Sequence, residues 1–196
     1  MLFYLFILKV NFFFIPAISD VDFFTRINPS NKILIISSLI FFYMTPFLLD
    51  KNFIRNFIQN LKIKNFIYSL SIFLILIFFF NYSIEYSGGG IFFRTSFFLF
   101  ESNYLFLVIA FFSLFFILQN FKIDFNNVML FVILIITNPQ LSIYHKYYDP
   151  LLIILFFLLF NLKFIIKNIF NKELVLNFYI FYVLFLSLNF IARYLI

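Results

Sequence analysis

Long apolar runs broken by short polar turns set the pattern of this chain. The runs fall near residues 2–18, 33–49, 65–81, 104–119, 125–141, 151–166 and 174–192. Most are long enough for a helix to approach the ~30 Å of a bilayer core at 1.5 Å per residue. The fifth run is the exception. Its uninterrupted part, 128–137, is too short to span alone, so it needs help from Phe125 before it or from Leu141 to Tyr144 after it, or else is a half-buried or re-entrant segment. Pro46 is expected to kink the second run near its end, and Pro150 suits the first turn of the sixth. Between the second and third runs, Phe53, Ile54, Phe57, Ile58 and Leu61 recur at helical spacing among Lys51, Arg55, Lys62 and Lys64, which predicts an amphipathic helix on a membrane surface. Residues 82–103 read as the longest loop. The expected fold is all-α: one polytopic transmembrane helix bundle over 1–196, with about seven spans.

Composition supports this pattern. Hydrophobic residues make up 65% of the 196 positions and charged ones 11%, against roughly 25% charged in soluble domains. Too few charges remain to cover a water-facing surface. Cysteine is absent, which excludes disulfides, a thiol nucleophile and a Cys-based metal site. Tryptophan is absent too, so an aromatic belt would be made of tyrosine. The net charge of +6 marks cytoplasmic loops rather than nucleic acid. The first run has no basic start or small-residue cleavage site and is read as a retained helix.

Charge then sets the orientation. With the N-terminus in the cytoplasm and the C-terminus outside, the inner turns hold Lys51, Arg55, Lys62, Lys64, Lys122, Lys163, Lys167 and Lys172. The outer ones hold Arg26, Lys32, Arg94, Lys146 and Arg193. In that orientation the three stretches richest in side-chain chemistry share the outer face. The first contains Asp20 and Asp22, which can divide acid and base roles or share a divalent cation such as magnesium or manganese, or can simply cap a solvated loop. The second contains Glu85, Gly88, Gly89, Gly90 and Arg94. All the glycine of the chain is in that triplet. It is either a cradle for an anion, with Arg94 as a bidentate grip on phosphate, or a hinge between helices. The third runs from Asn138 to Pro150. There His145 and Asp149 are i, i+4 partners, Lys146 can meet a phosphate, and Tyr147 and Tyr148 can stack on a sugar or sit at the lipid boundary.

At Asp20-Val21-Asp22, just after the first run, the chain resembles the integral-membrane glycosyltransferases of the GT-C class, which carry an acidic motif in their first outer loop. The resemblance implies an enzyme of surface polysaccharide or glycolipid assembly in a bacterial inner membrane. It implies a polyprenyl-phosphate sugar as donor, Asp20 and Asp22 in catalysis or metal binding, and phosphate contacts from Arg94, His145 and Lys146. The competing readings are a transport or flippase component, an assembly factor within a larger membrane complex, and an inactive piece of a longer polytopic protein.

Overall fold

The computed structural model describes residues 28–86, 88–136, 143 and 172–194. Among them every regular element is a helix, and seven are present: α1 (Pro29–Leu48), α2 (Lys51–Gln59), α3 (Ile63–Phe78), α4 (Gly90–Phe100), α5 (Tyr104–Asn120), α6 (Phe125–Ile136) and α7 (Lys172–Tyr194). The first and sixth predicted runs lie outside the described residues.

The starting point of α1 follows from its capping chemistry. Asn28 Oδ1 accepts the backbone N–H groups of Ser30 and Asn31, at 3.1 and 3.3 Å, and Pro29 takes the first helical position, where no N–H is needed. The helix therefore begins four residues before the apolar run. Pro46 falls in the last turn, and the end closes with N–H donation from Leu49 to the Pro46 carbonyl and from Asp50 to that of Phe47. Leu34, Ile35, Ile36, Leu39 and Ile40 are buried on all sides of the helix. A helix apolar around its whole circumference belongs in a core, and the other elements surround α1. By length and composition α1 is long and apolar enough to cross a membrane.

The most extensive packing is between α1 and α5. Small buried residues on both helices, Ser37 and Ser38 on one and Ala110 and Ser113 on the other, permit close approach. The rest of the core is largely phenylalanine meeting edge to face: Phe41 on Phe116 at 5.5 Å, and Phe47 on Phe178 at 5.1 Å. α7 runs antiparallel to α1, since Phe178 meets Phe47 while Phe185 meets Phe42. The predicted amphipathic helix is α2, turned by 91° from α3. The pair of them would form one further span only as a bent unit.

The stretch expected to be a loop, 82–103, contains α4. After the glycines, residues 91–100 form an apolar run interrupted only by Arg94, Thr95 and Ser96, and both helix ends are set by left-handed residues, Gly89 at φ 85° and Glu101 at φ 50°. The loop reading gave too much weight to the glycines and too little to the run behind them. α6 begins at Phe125, as expected, and its 12 residues span about 18 Å. That is short of the ~30 Å bilayer core.

Many large apolar side chains point away from the bundle. On α3 they include Ile67, Leu74, Ile75 and Phe78, on α6 Val128, Val132, Ile133 and Ile136, and on α7 Leu176, Ile180, Val183, Leu184 and Phe190. Phe78 alone is 82% exposed.

Candidate functional site

The bundle has two chemically different ends. One is the end where α1 starts, α3 stops and α5 starts, here termed the upper end. The other carries α2 and is termed the lower end.

At the upper end three asparagines tie the elements together. The Asn28 Nδ2 amide donates to Asn81 Oδ1 at 2.6 Å and to the Phe79 carbonyl at 3.2 Å. Asn31 Nδ2 donates to the same Asn81 oxygen at 2.9 Å, and Asn31 Oδ1 accepts the Asn81 backbone N–H at 3.0 Å. The orphan carbonyl at the end of α3 is thereby satisfied by the cap residue of α1. Lys32, in the first turn of α1, is only 1% exposed.

From Asn81 the chain descends into the bundle. Asn81 lies level with Asn31, whereas a Cβ on Gly90 would meet Leu39 at 3.1 Å and Ile35 at 3.7 Å. Four residues of α1 separate Asn31 from Ile35 and eight separate it from Leu39, so the descent is about 6–12 Å. α4 then climbs back. Ser96 Oγ donates to the Ser102 carbonyl at 2.7 Å and accepts the Phe106 N–H at 3.1 Å. Phe106 stacks on Phe80 at 5.5 Å, back at the level of Asn81. Residues 82–100 therefore enter and leave by the upper end.

The bottom of this dip is where the glycines act. Gly88, Gly89 and Gly90 have φ of 126°, 85° and 77°, which L side chains rarely adopt. The Gly89 N–H donates to the Ile143 carbonyl at 2.8 Å, and the Ile143 N–H donates to Tyr82 Oη at 3.1 Å. A Cβ on Gly88 would lie 2.5 Å from that same Ile143 oxygen. Ile143 is itself buried. The glycines let the backbone of the second chemistry-rich stretch lie against the backbone of the third, at depth, with the polar groups of Ile143 satisfied on both sides.

Arg94 stands one turn after Gly90 and reaches back over the loop. Its Nε–H donates to the Gly88 carbonyl at 2.7 Å and Nη2 donates to the Tyr86 carbonyl at 3.2 Å. The side-on edge of the guanidinium thus clips the loop, and three of the five N–H bonds of an arginine, including its end-on edge, remain. Arg94 is exposed, as is Glu85, whose backbone N–H is held by Ser83 Oγ at 3.2 Å. The Gly89 amide is committed to Ile143, so it is not available to an anion.

The structure therefore brings Gly88, Gly89, Gly90, Arg94 and residue 143 of the third stretch together, with Glu85 on the same loop. Asp20, Asp22, His145, Lys146, Tyr147, Tyr148 and Asp149 lie outside the described residues. Sequence reasoning missed Tyr82 and the asparagines 28, 31 and 81. Asparagine in the turns bounding two apolar runs was the available signal. Among the described residues no group of three or more His, Cys, Asp or Glu is placed to hold a metal.

The lower end is built differently. Gln119, near the end of α5, donates through Nε2 to the Asn60 carbonyl and accepts from Asn65 Nδ2 at 2.7 Å, which clamps the corner between α2 and α3. Asp124 caps α6 through the Asn127 N–H at 2.9 Å. Among the described residues the cations at this end are Lys51, Arg55, Lys62, Lys64, Lys122 and Lys172, all exposed. Among the same residues the upper end has Lys32, Arg94 and, at the last turn of α7, Arg193.

No protein-family model, curated protein or solved structure matches this chain.

Proposed function

We propose that the chain is an integral membrane helix bundle with its lower end in the cytoplasm, and that its upper end acts on a lipid-phosphate-linked sugar at the extracytoplasmic face of a bacterial inner membrane. The membrane assignment is supported by the apolar outward faces of α3, α6 and α7, which would be a poor surface in water. The orientation is supported by the charge asymmetry between the ends, six cations against three among the described residues. On this reading the apolar runs 2–18 and 151–166 supply the remaining spans of about seven.

One observation carries the functional part: the junction of Gly88 and Gly89 with Ile143. Non-helical backbone at membrane depth is tolerated where it is buried in protein or lines a cavity. Here it fixes two of the three chemistry-rich stretches against each other and leaves Arg94 one turn above, with its end-on edge free for a phosphate. In the transferase reading, Asp20 or Asp22 is the base for an acceptor hydroxyl or holds magnesium or manganese on the phosphate. His145, Lys146 and Arg94 stabilise the charge that develops on the leaving phosphate, and Tyr147 and Tyr148 pack on the sugar.

A second reading is favoured by the same broken segment. Discontinuous helices near the midplane are also how transporters build substrate sites, so a flippase or transport component, alone or within a larger membrane complex, fits the dip without needing the aspartates. Turnover separates the two. The protein is reconstituted in liposomes with a polyprenyl-phosphate sugar, and both sugar transfer and movement of the intact lipid across the bilayer are followed. The transferase reading expects Asp20→Asn or Asp22→Asn to abolish sugar transfer while the protein still inserts. Undiminished transfer by both variants would reject it. Because cysteine is absent from the chain, orientation is read directly with single cysteines at Asn103 and Asn52. The first should react with an impermeant maleimide in intact cells and the second only after permeabilisation.

A further inference from the structure

α2 is not explained by the site at the upper end. Its apolar side is divided between two environments. Phe53 and Phe57 turn inward, Phe53 to Phe47 and Phe116 at 6.1 and 6.2 Å, Phe57 to Phe115 and Phe116 at 6.2 and 5.6 Å. Ile54 and Ile58 are 38% and 58% exposed, and Leu61 just beyond the helix is also exposed. Around the helix, Ile58 sits about 20° from Lys51 and about 60° from Arg55, taking 3.6 residues per turn. The exposed parts of the isoleucines therefore border directly on the cations. From Lys51 to Lys64 there is no acidic residue. The nearest, Asp50, is occupied as the cap of α2, its Oδ1 accepting the Asn52 N–H at 2.9 Å.

The direction of α2 is set by the fold. The 91° turn from α3 lays it across the lower end of the bundle, and the Gln119 clamp on Asn60 and Asn65 holds that corner. If α3 stands along the membrane normal, α2 lies in the membrane plane. We infer that α2 is an interfacial anchor for anionic lipid headgroups, with Ile54, Ile58 and Leu61 among the acyl chains and Lys51, Arg55, Lys62 and Lys64 at the level of the phosphates. The inference rests on the membrane assignment above, but not on any chemistry at the upper end. Basic residues beside an apolar stripe bind such a surface by area and charge together.

The test uses the full chain in lipid nanodiscs of phosphatidylcholine, alone or mixed with phosphatidylglycerol. Single cysteines replace Ile58, Asn56 on the opposite side of α2, and Ile75 on the outward face of α3. Each carries an environment-sensitive fluorophore, and lipids spin-labelled near the headgroup or deep in the chain act as quenchers. The expected result is shallow quenching and a blue shift at position 58, water exposure at 56, and deep quenching at 75. Quenching at 75 with none at 58 would overturn the anchor while leaving the membrane assignment intact. Absence of quenching at 75 as well would overturn the membrane assignment itself. Ile54→Cys repeats the measurement in case a label at 58 disturbs the helix. Replacing Lys51, Arg55, Lys62 and Lys64 by glutamine should remove the enrichment of phosphatidylglycerol around the protein. Unchanged enrichment in that variant would overturn the headgroup role. A cross-linked second protein on Ile54 and Ile58 would assign the face to a protein partner instead.

Discussion

The dip at Gly88–Gly90 and the helix α2 show two opposite ways of making a polar feature in an apolar bundle. The dip depends on backbone. Positive φ, the approach of Ile143 and carbonyls clipped by Arg94 leave almost no freedom for substitution. α2 depends on side-chain periodicity. Many residues could replace its own provided the stripe and the charges are kept. Damage to the dip should therefore be local and severe, and damage to α2 graded and cumulative.

The strongest way to break this contrast is Gly88→Ala. The added carbon would lie 2.5 Å from the Ile143 backbone oxygen, which is not the end of a flexible side chain, and φ of 126° is strained for alanine in addition. We expect a loss on the order of 3 kcal/mol, read as a large fall in melting temperature in detergent or as failure to accumulate. Gly90→Ala sharpens the result. There the nearest atom is the Cδ2 of Leu39 at 3.1 Å, which can rotate, although φ of 77° remains costly. Its loss should be smaller, about 1–2 kcal/mol. Equal losses would mean that dihedral strain, and not contact with Ile143, is what these glycines relieve.

Arg94 comes next. Lysine keeps the charge but has no planar edge to hold two carbonyls. Arg94→Lys should lose about 1–2 kcal/mol through the bonds to Gly88 and Tyr86, and Arg94→Gln about the same. Near-native stability in the lysine variant would show that charge alone, and not the clip, is what the loop requires.

The two regions also differed in how legible they were. α2 followed from residues 50–64 because an amphipathic stripe is a local, periodic signal, and its four cations mark it again. The glycine triplet announced unusual backbone for the same local reason. That its partner is Ile143 was not legible: the contact joins residues more than fifty positions apart, and an isoleucine among isoleucines carries no mark. α4 was hidden by its setting, since ten residues between the glycines and Glu101 resemble a loop until the glycines are placed in the left-handed region. The asparagine triad was missed because each member alone reads as an ordinary turn residue. Together, Asn28, Asn31 and Asn81 decide where α1 begins and where α3 ends.

The asparagines give a smaller test of the upper end. Asn81→Ala removes the shared acceptor of two amides and leaves the Asn31 Nδ2, on a residue only 7% exposed, without its partner. A loss of about 1 kcal/mol is expected, measured by thermal unfolding in detergent. Asn81→Asp should recover part of it, because a carboxylate still accepts from Asn28 and Asn31. A full recovery would mean that this edge of the bundle tolerates charge as water does.

The smallest effect should come from the cap of α2. Asp50→Ala removes one hydrogen bond to the Asn52 N–H at an exposed helix end, a change of about 0.5–1 kcal/mol. Global stability should hardly move, because Phe53 and Phe57 still hold the helix to Phe47 and Phe116. Hydrogen exchange in the first turn of α2 should rise, since opening there needs only local fraying. If exchange rises along the whole of α2, capping and not aromatic packing holds it in place, and the helix is then a mobile arm. If it rises only in the first turn, α2 is a fixed shelf at the lower end. A shelf is what a constant set of lipid contacts for Ile54 and Ile58 would require.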